Sequence, residues 1–300
     1  MSSPDTAARS DAALADRDAG REHKSAASEG FDIFKTILYA LLIALVLRIV
    51  LFQPFTIPSA SMEPTLYKGD YIIVSKFAYG WSRNSVPFSP GFLPAGRFLP
   101  RMPHRGDVVV FKLPRDGHVD YIKRLVGLPG DRMQVKQGVL YINGAAAVRS
   151  AKGFVPTHCP GPEDADPTPA ALSTELLPGG KAHPVVACFN GQGGGNNTAV
   201  YTVPPNCYFM MGDNRDNSVD SRYPPYPGPA SEAAMKACPW NPDVEQALNA
   251  IDPGVGFVPF DDLVGKADMI LFAWGQHMSI WKPWTLITDV KLNRWFHLIK

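Results

Sequence analysis

The sequence predicts a mostly β protein, an antiparallel β-sheet domain preceded by a single transmembrane helix. Three observations carry this. The stretch Ile33–Phe52 (IFKTILYALLIALVLRIVLF) is apolar except for Lys35, Thr36 and Arg48. Beyond it, short β-branched and aromatic runs alternate with turn signals. Proline makes up 29 of 300 residues, almost twice the ~5% of an average protein, which favours turns and edge strands over a helical bundle.

The N-terminal part, residues 1–32, is rich in Ala, Ser and Asp and reads as a solvated, disordered tail. Residues 33–52 follow as the membrane span, since about 20 apolar residues cross a ~30 Å hydrocarbon core as a helix. Lys35 and Arg48 lie near its ends, where their ammonium and guanidinium groups reach the headgroups. A cleaved signal peptide fits poorly. The preceding region is too long, and Pro58-Ser59-Ala60 sets proline at the −3 position of the candidate site. Arg17, Arg21, Lys24 and Lys35 precede the core of the span, and after Arg48 no basic residue occurs before Lys68. This bias orients the N-terminus to the cytoplasm and residues 53–300 outside.

Strands are expected at Tyr71–Val74, Asp107–Phe111, Val119–Val126, Val139–Ile142, Tyr208–Met211 and Met269–Trp274, with turns at Lys68-Gly-Asp70, Pro129-Gly-Asp131 and Asn143-Gly144. Two excursions, about 150–200 and 224–255, are rich in Pro and Gly and lack a readable period, apart from a candidate short helix near 242–250. Trp81–Met102, with Trp81, Phe88, Phe92 and Phe98, reads either as an apolar flap against the bilayer or as a covered loop. Trp281 and Trp284 could make the same membrane contact.

Composition excludes several functions. The net charge of +1 gives no electrostatic case for nucleic acid. The Gly191–Asn197 run lacks the Lys-Ser/Thr of a phosphate loop. The polar run Gly212–Tyr223 fails as a calcium loop, because Ser221 stands where glycine is needed and Pro227 where the bidentate glutamate would be. His158, Cys159, His183 and Cys188 lack a zinc spacing, so no metal or cofactor is expected. The four cysteines allow three pairings. Pairing by segment gives Cys159–Cys188 and Cys207–Cys238.

Chemistry concentrates in a few segments. Directly after the span, prolines 54, 58 and 64 hold the backbone extended, which sets Ser59 and Ser61 on one side. By themselves they read as a polar linker. In Val119–Val126, alternation gives Lys123 the face of Tyr121 and Leu125, and Arg124 the opposite face with Asp120 and Ile122. By itself such a lysine reads as one whose ammonium ends in solvent; burial would disfavour its charged form, and a neutral lysine can act as a base.

Taken together, PSASMEPTL, YKGDYIIVSKF, RGDVVVFKLP, DYIKRLVGLPGD, GDNRDNSVDSRY and GFVPFDDLVGKA, in this order after a span, resemble the signature boxes of bacterial type I signal peptidases. The resemblance covers the span through Gly144, then Thr202–Tyr223 and Gly256–Trp274. It implies a Ser/Lys serine endopeptidase on an antiparallel β-sheet, with Ser61 as nucleophile and Lys123 as general base. It further implies an oxyanion hole from the Ser59 hydroxyl and the Ser61 N–H, and Ser218 orienting the lysine. Asp213 would pair with Arg124, and Asp220 with Arg222. Phe55, Thr56, Ile57 and Pro58, with Asp120, Tyr121 and Ile122, would line small pockets for a secretory preprotein bearing an A-x-A-like site. The expected setting is the bacterial inner membrane, with the lipid bilayer and preproteins as partners and a monomeric enzyme. Two other readings compete. A self-cleaving repressor-type Ser/Lys protease would need a DNA-binding domain, and none is visible. A non-catalytic, membrane-anchored polypeptide-binding domain is disfavoured by intact Ser61, Lys123 and Ser218.

Overall fold

A computed structural model describes residues 26–86, 91, 92, 94, 96–162, 165–189, 192–225, 236–240, 254–275 and 284–300. The chain divides into two units, Met1–Leu47 and Arg48–Lys300. Most of the N-terminal tail, Phe88, Trp281 and the candidate helix at 242–250 lie outside the described residues.

Helix α1 spans Ala26–Val50. It starts earlier than the expected span because Ala26-Ala27-Ser28-Glu29 contains good helix formers. It stops short of Phe52 because that residue opens a strand, and Pro54 cannot continue a helix. Within it, Gly30–Val50 is long and apolar enough to cross a membrane.

Strands of four or more residues are numbered here in chain order. The principal sheet contains β1 (Phe52–Thr56), β2 (Asp70–Ser75), β3 (Val108–Lys112) and β4 (Asp120–Gly127). Hairpin strands β5 (Arg132–Lys136) and β6 (Val139–Ile142) follow. An inserted sheet holds β7 (Val148–Thr157), β8 (Thr168–Leu176) and β9 (Ala182–Ala187). Strands β10 (Cys207–Met211) and β11 (Leu263–Ala273) complete the set. The order across the principal sheet is β1-β2-β11-β3-β4-β10, extended past β10 by Val258–Pro259, and all these pairings are antiparallel.

The expected strands are present, with ends displaced by a few residues. β11 begins six residues before the expected Met269, running through Gly265. A Cβ at Gly265 would stand 2.5 Å from the Ser75 carbonyl oxygen, so this close crossing of β2 needs glycine. Asn143 and Gly144 both take positive φ, the geometry that two-residue hairpins require. The first excursion is not irregular. It forms the antiparallel sheet β7-β8-β9. Its strands are poor in β-formers and rich in Ala, Ser and Pro, with Pro156 opposite Pro169.

Alternation along β3 and β4 divides the core. Val108, Val110 and Ile122 pack on one side with Ile57, Met62, Leu66 and Ile72. Val109, Phe111 and Leu125 pack on the other with Tyr208 and Met210. Each such side chain contributes roughly 1.5–3 kcal/mol when fully buried. Met62 and Leu66 thereby anchor the loop that carries Ser59 and Ser61. The disulfides are Cys159–Cys188 and Cys207–Cys238, the pairing by segment.

Candidate active site

The loop after β1 turns Ser61 inward, and β4 brings Lys123 to it. The register sets Lys123 opposite Val109 of β3. Ser61 is 7% exposed and Lys123 4%. Lys123 Nζ donates to Ser61 Oγ at 2.8 Å and to its neighbour's carbonyl, Ile122 O, at 3.0 Å. Burial holds the Lys123 amine down to about 8, against the opposing pull of Asp220 and Asp213. Ser59 Oγ lies 3.3 Å from Ser61 Oγ. Residues 62 positions apart in the chain thus form a hydroxyl–amine pair shielded from bulk water.

A loop running on from β10, Gly212–Tyr223, closes over this pair. Asn214 N–H donates to Ser61 O at 3.1 Å, and its side-chain amide donates to Ala60 O at 3.2 Å. Gly212 passes so closely that a Cβ there would stand 2.3 Å from Ser218 Oγ and 2.5 Å from Ser61 O. Asp213 accepts from Arg124 Nε at 2.8 Å and Nη2 at 2.7 Å, a bidentate pair with both side chains 1% exposed. Burial alone would raise the Asp213 carboxyl, but the charge and hydrogen bonds of Arg124, together with His183 and the Thr65 hydroxyl, hold the acid below its ordinary value. Asp220 accepts from Arg222 Nε at 2.8 Å and Nη2 at 2.9 Å, and from Gly212 N–H at 3.0 Å.

Ser218 departs from expectation. Its hydroxyl donates to Asp220 Oδ2 at 2.8 Å, and no hydrogen bond joins it to Lys123 among the described residues. The Asp220 carboxylate is the stronger acceptor for that proton. Asp220 acts on the lysine as the largest of the nearby charges.

Phe55, Thr56, Ile57 and Pro58 lie along and just beyond β1, the edge of the principal sheet. Asp120, Tyr121 and Ile122 form the start of β4, which pairs there with β3 alone, since β10 stops at Met211↔Arg124. Among the described residues, both segments therefore carry backbone groups without a strand partner on one side.

Several residues around the site escaped sequence reasoning. Glu63, 0% exposed, faces His158. Thr65 Oγ1 donates to Asp213 Oδ2 at 2.5 Å. Glu175 of the inserted sheet binds Arg215 and Arg149. Nothing local in the sequence marks these positions as buried, apart from Glu63 lying within the Ser61 segment. Among the described residues no group of His, Cys, Asp and Glu could hold a metal ion.

The profile of the signal peptidase family, peptidase S26, matches residues 31–274. The chain belongs to this family. It is 34% identical to the signal peptidase I of Rickettsia typhi over 282 residues, covering 88% of this chain and 91% of that protein. Against the signal peptidase I of Rickettsia akari the identity is 34% over 277 residues, covering 86% and 89%. A solved signal peptidase I from Enterococcus faecalis is 22% identical, with a TM-score of 0.26, and covers 55% of this chain and 97% of that one. As a signal peptidase family member, the protein is a serine endopeptidase.

Proposed function

We propose that this protein is a membrane-bound endopeptidase that removes signal peptides from secretory preproteins, cutting after an A-x-A-like site with Ser61 as nucleophile and Lys123 as general base. One observation carries the reading: a buried lysine amine, brought down to about 8, lies in hydrogen-bond contact with a serine hydroxyl at 2.8 Å.

The steps follow from that contact. Neutral Lys123 Nζ takes the Ser61 proton as Oγ attacks the scissile carbonyl carbon. The oxyanion receives the Ser59 hydroxyl and the Ser61 N–H, each such donor lowering the barrier by roughly 3–4 kcal/mol. The Lys123 ammonium then protonates the leaving amine as the C–N bond breaks, leaving an acyl-enzyme. Lys123 next takes a proton from the water that attacks the ester carbonyl, and returns it to Ser61 Oγ as the acyl C–O bond breaks, which restores the hydroxyl and the neutral amine. Arg124–Asp213 and Arg222–Asp220 hold the loop and strand in register, and Ser218 acts through Asp220.

The substrate binds extended, adding main-chain hydrogen bonds to the free edges at Phe55–Pro58 and Asp120–Ile122. Small pockets there select alanine by excluding larger side chains. The helix Gly30–Val50 anchors the enzyme with its N-terminus cytoplasmic and residues 53–300 outside. Phe92 and Phe98, 86% and 68% exposed, face the bilayer with exposed Trp284. The enzyme acts as a monomer.

The test is cleavage of a purified preprotein with an Ala-x-Ala site, in detergent, by wild type, Ser61→Ala and Lys123→Ala. The reading expects cleavage after the second alanine by wild type and none by either folded variant. A variant that still cuts would show that the residue it lacks is misassigned.

A further inference from the structure

Glu63 lies two residues after Ser61, fully buried. A buried carboxylate without partners is strongly disfavoured. Both of its oxygens are met by one residue of the inserted sheet's edge, His158. The His158 N–H donates to Oε2 at 2.9 Å, and its Nδ1 lies 2.8 Å from Oε1. His158 is in turn fixed from three sides. Its carbonyl accepts from Asn214 Nδ2 at 2.9 Å and from Asn217 Nδ2 at 2.7 Å. The next residue, Cys159, is bonded to Cys188. The Cys188 N–H donates to Asp216 Oδ2 at 2.7 Å. Asn214 joins these elements to the nucleophile, since its amide groups also hold Ser61 O and Ala60 O.

We propose that Glu63 and His158 are positioning residues for Ser61, and that the Cys159–Cys188 bridge keeps His158 seated, so that the inserted sheet clamps the nucleophile loop. This rests on Ser61 and Lys123 being nucleophile and base. The clamp works through distance. A displacement of about 1 Å at a reacting atom costs on the order of 10²-fold in rate. It also works through water. Among the described residues, Ser61 Oγ is one of the two hydrogen-bond acceptors of the Lys123 amine. A loosened loop admits solvent to that amine, whose other neighbours are Asp213, Asp220, Arg222 and the Tyr121 ring.

The experiment uses the full chain in detergent and the Ala-x-Ala preprotein, with kcat, KM and the pH–rate profile measured for each variant. Glu63→Ala, His158→Ala and the double variant Cys159→Ala/Cys188→Ala are each expected to lower kcat by roughly 10- to 100-fold with KM nearly unchanged. In each, the acidic limb of the profile moves to higher pH. Glu63→Gln, which keeps an acceptor for the His158 N–H, restores most of kcat. Cys207→Ala/Cys238→Ala leaves the limb where it is.

A kcat for Glu63→Ala within about two-fold of wild type would overturn the proposal. So would a lowered kcat with an unmoved limb, because a merely structural role reduces the folded fraction without altering the chemistry. Should Glu63→Ala not fold, the same readings on the Cys159/Cys188 pair decide the matter, since that variant leaves Glu63 and His158 intact. Cleavage by Ser61→Ala would instead overturn the underlying assignment and is read separately.

Discussion

Lys76 and Lys123 invite comparison. Both are buried, and burial is the largest cause that brings each amine down to about 8. Lys76 follows directly on β2 and donates to the carbonyl of Ser85. Lys123 lies within β4 and donates to the hydroxyl of Ser61. A carbonyl has no proton to give, so a neutral amine at Lys76 has nothing to activate. The hydroxyl beside Lys123 becomes a nucleophile when its proton leaves. A shifted pKa therefore nominates a lysine, and the group opposite it decides whether chemistry follows.

The strongest way to break this comparison is to remove the reacting pair. Ser61→Ala and Lys123→Ala should each lower kcat by about 10⁴-fold or more, measured on purified folded protein. Ser59→Ala should cost roughly 10²–10³-fold in kcat with little change in KM, as expected for a donor used chiefly in the transition state. Asp213→Asn leaves the Arg124 charge buried without its counter-ion. Denaturant unfolding should record a loss of about 3–5 kcal/mol.

The pH dependence of stability sharpens the comparison further. Each lysine has a native pKa below its unfolded value of about 10.4, so the native state binds fewer protons between about pH 8 and 10. The cost is fully present below pH 8 and is relieved as pH rises through that window, so stability increases there. For Lys123 the cost is about 3 kcal/mol. Lys123→Met and Lys76→Met should each flatten the slope, measured by urea unfolding at a series of pH values. The smallest effect belongs to Lys76→Met in the activity assay, where kcat should stay within about two-fold of wild type.

What the sequence made legible divides along the same line. Turns with a conformational requirement were readable, because Asn143-Gly144 needs positive φ at both positions. So were the apolar runs of β3, β4 and β10, whose buried faces demand Val, Ile, Phe and Leu. The pairing of Ser61 with Lys123 came from the resemblance of whole segments, since nothing local predicts a contact across 62 positions. The inserted sheet was not readable. Its Ala, Ser, Thr and Pro carry no strand period, and its order rests on pairing between β7, β8 and β9. The buried charges were hidden for a related reason. Glu63, Glu175 and Arg215 look like surface residues until the fold supplies their partners. The bond from the Ser218 hydroxyl to Asp220 is hidden for the same reason, because sequence order does not tell which acceptor a hydroxyl meets.

Lys123, and not Lys76, supplies the neutral amine on which the proposed cleavage depends. The pH dependence of kcat/KM for wild type and Lys76→Met tests it most directly. The account predicts activity rising to a plateau with a midpoint of about 8, set by Lys123, at the same pH in both proteins. A midpoint near the ordinary lysine value of about 10.4, or one that moves when Lys76 is replaced, would contradict it.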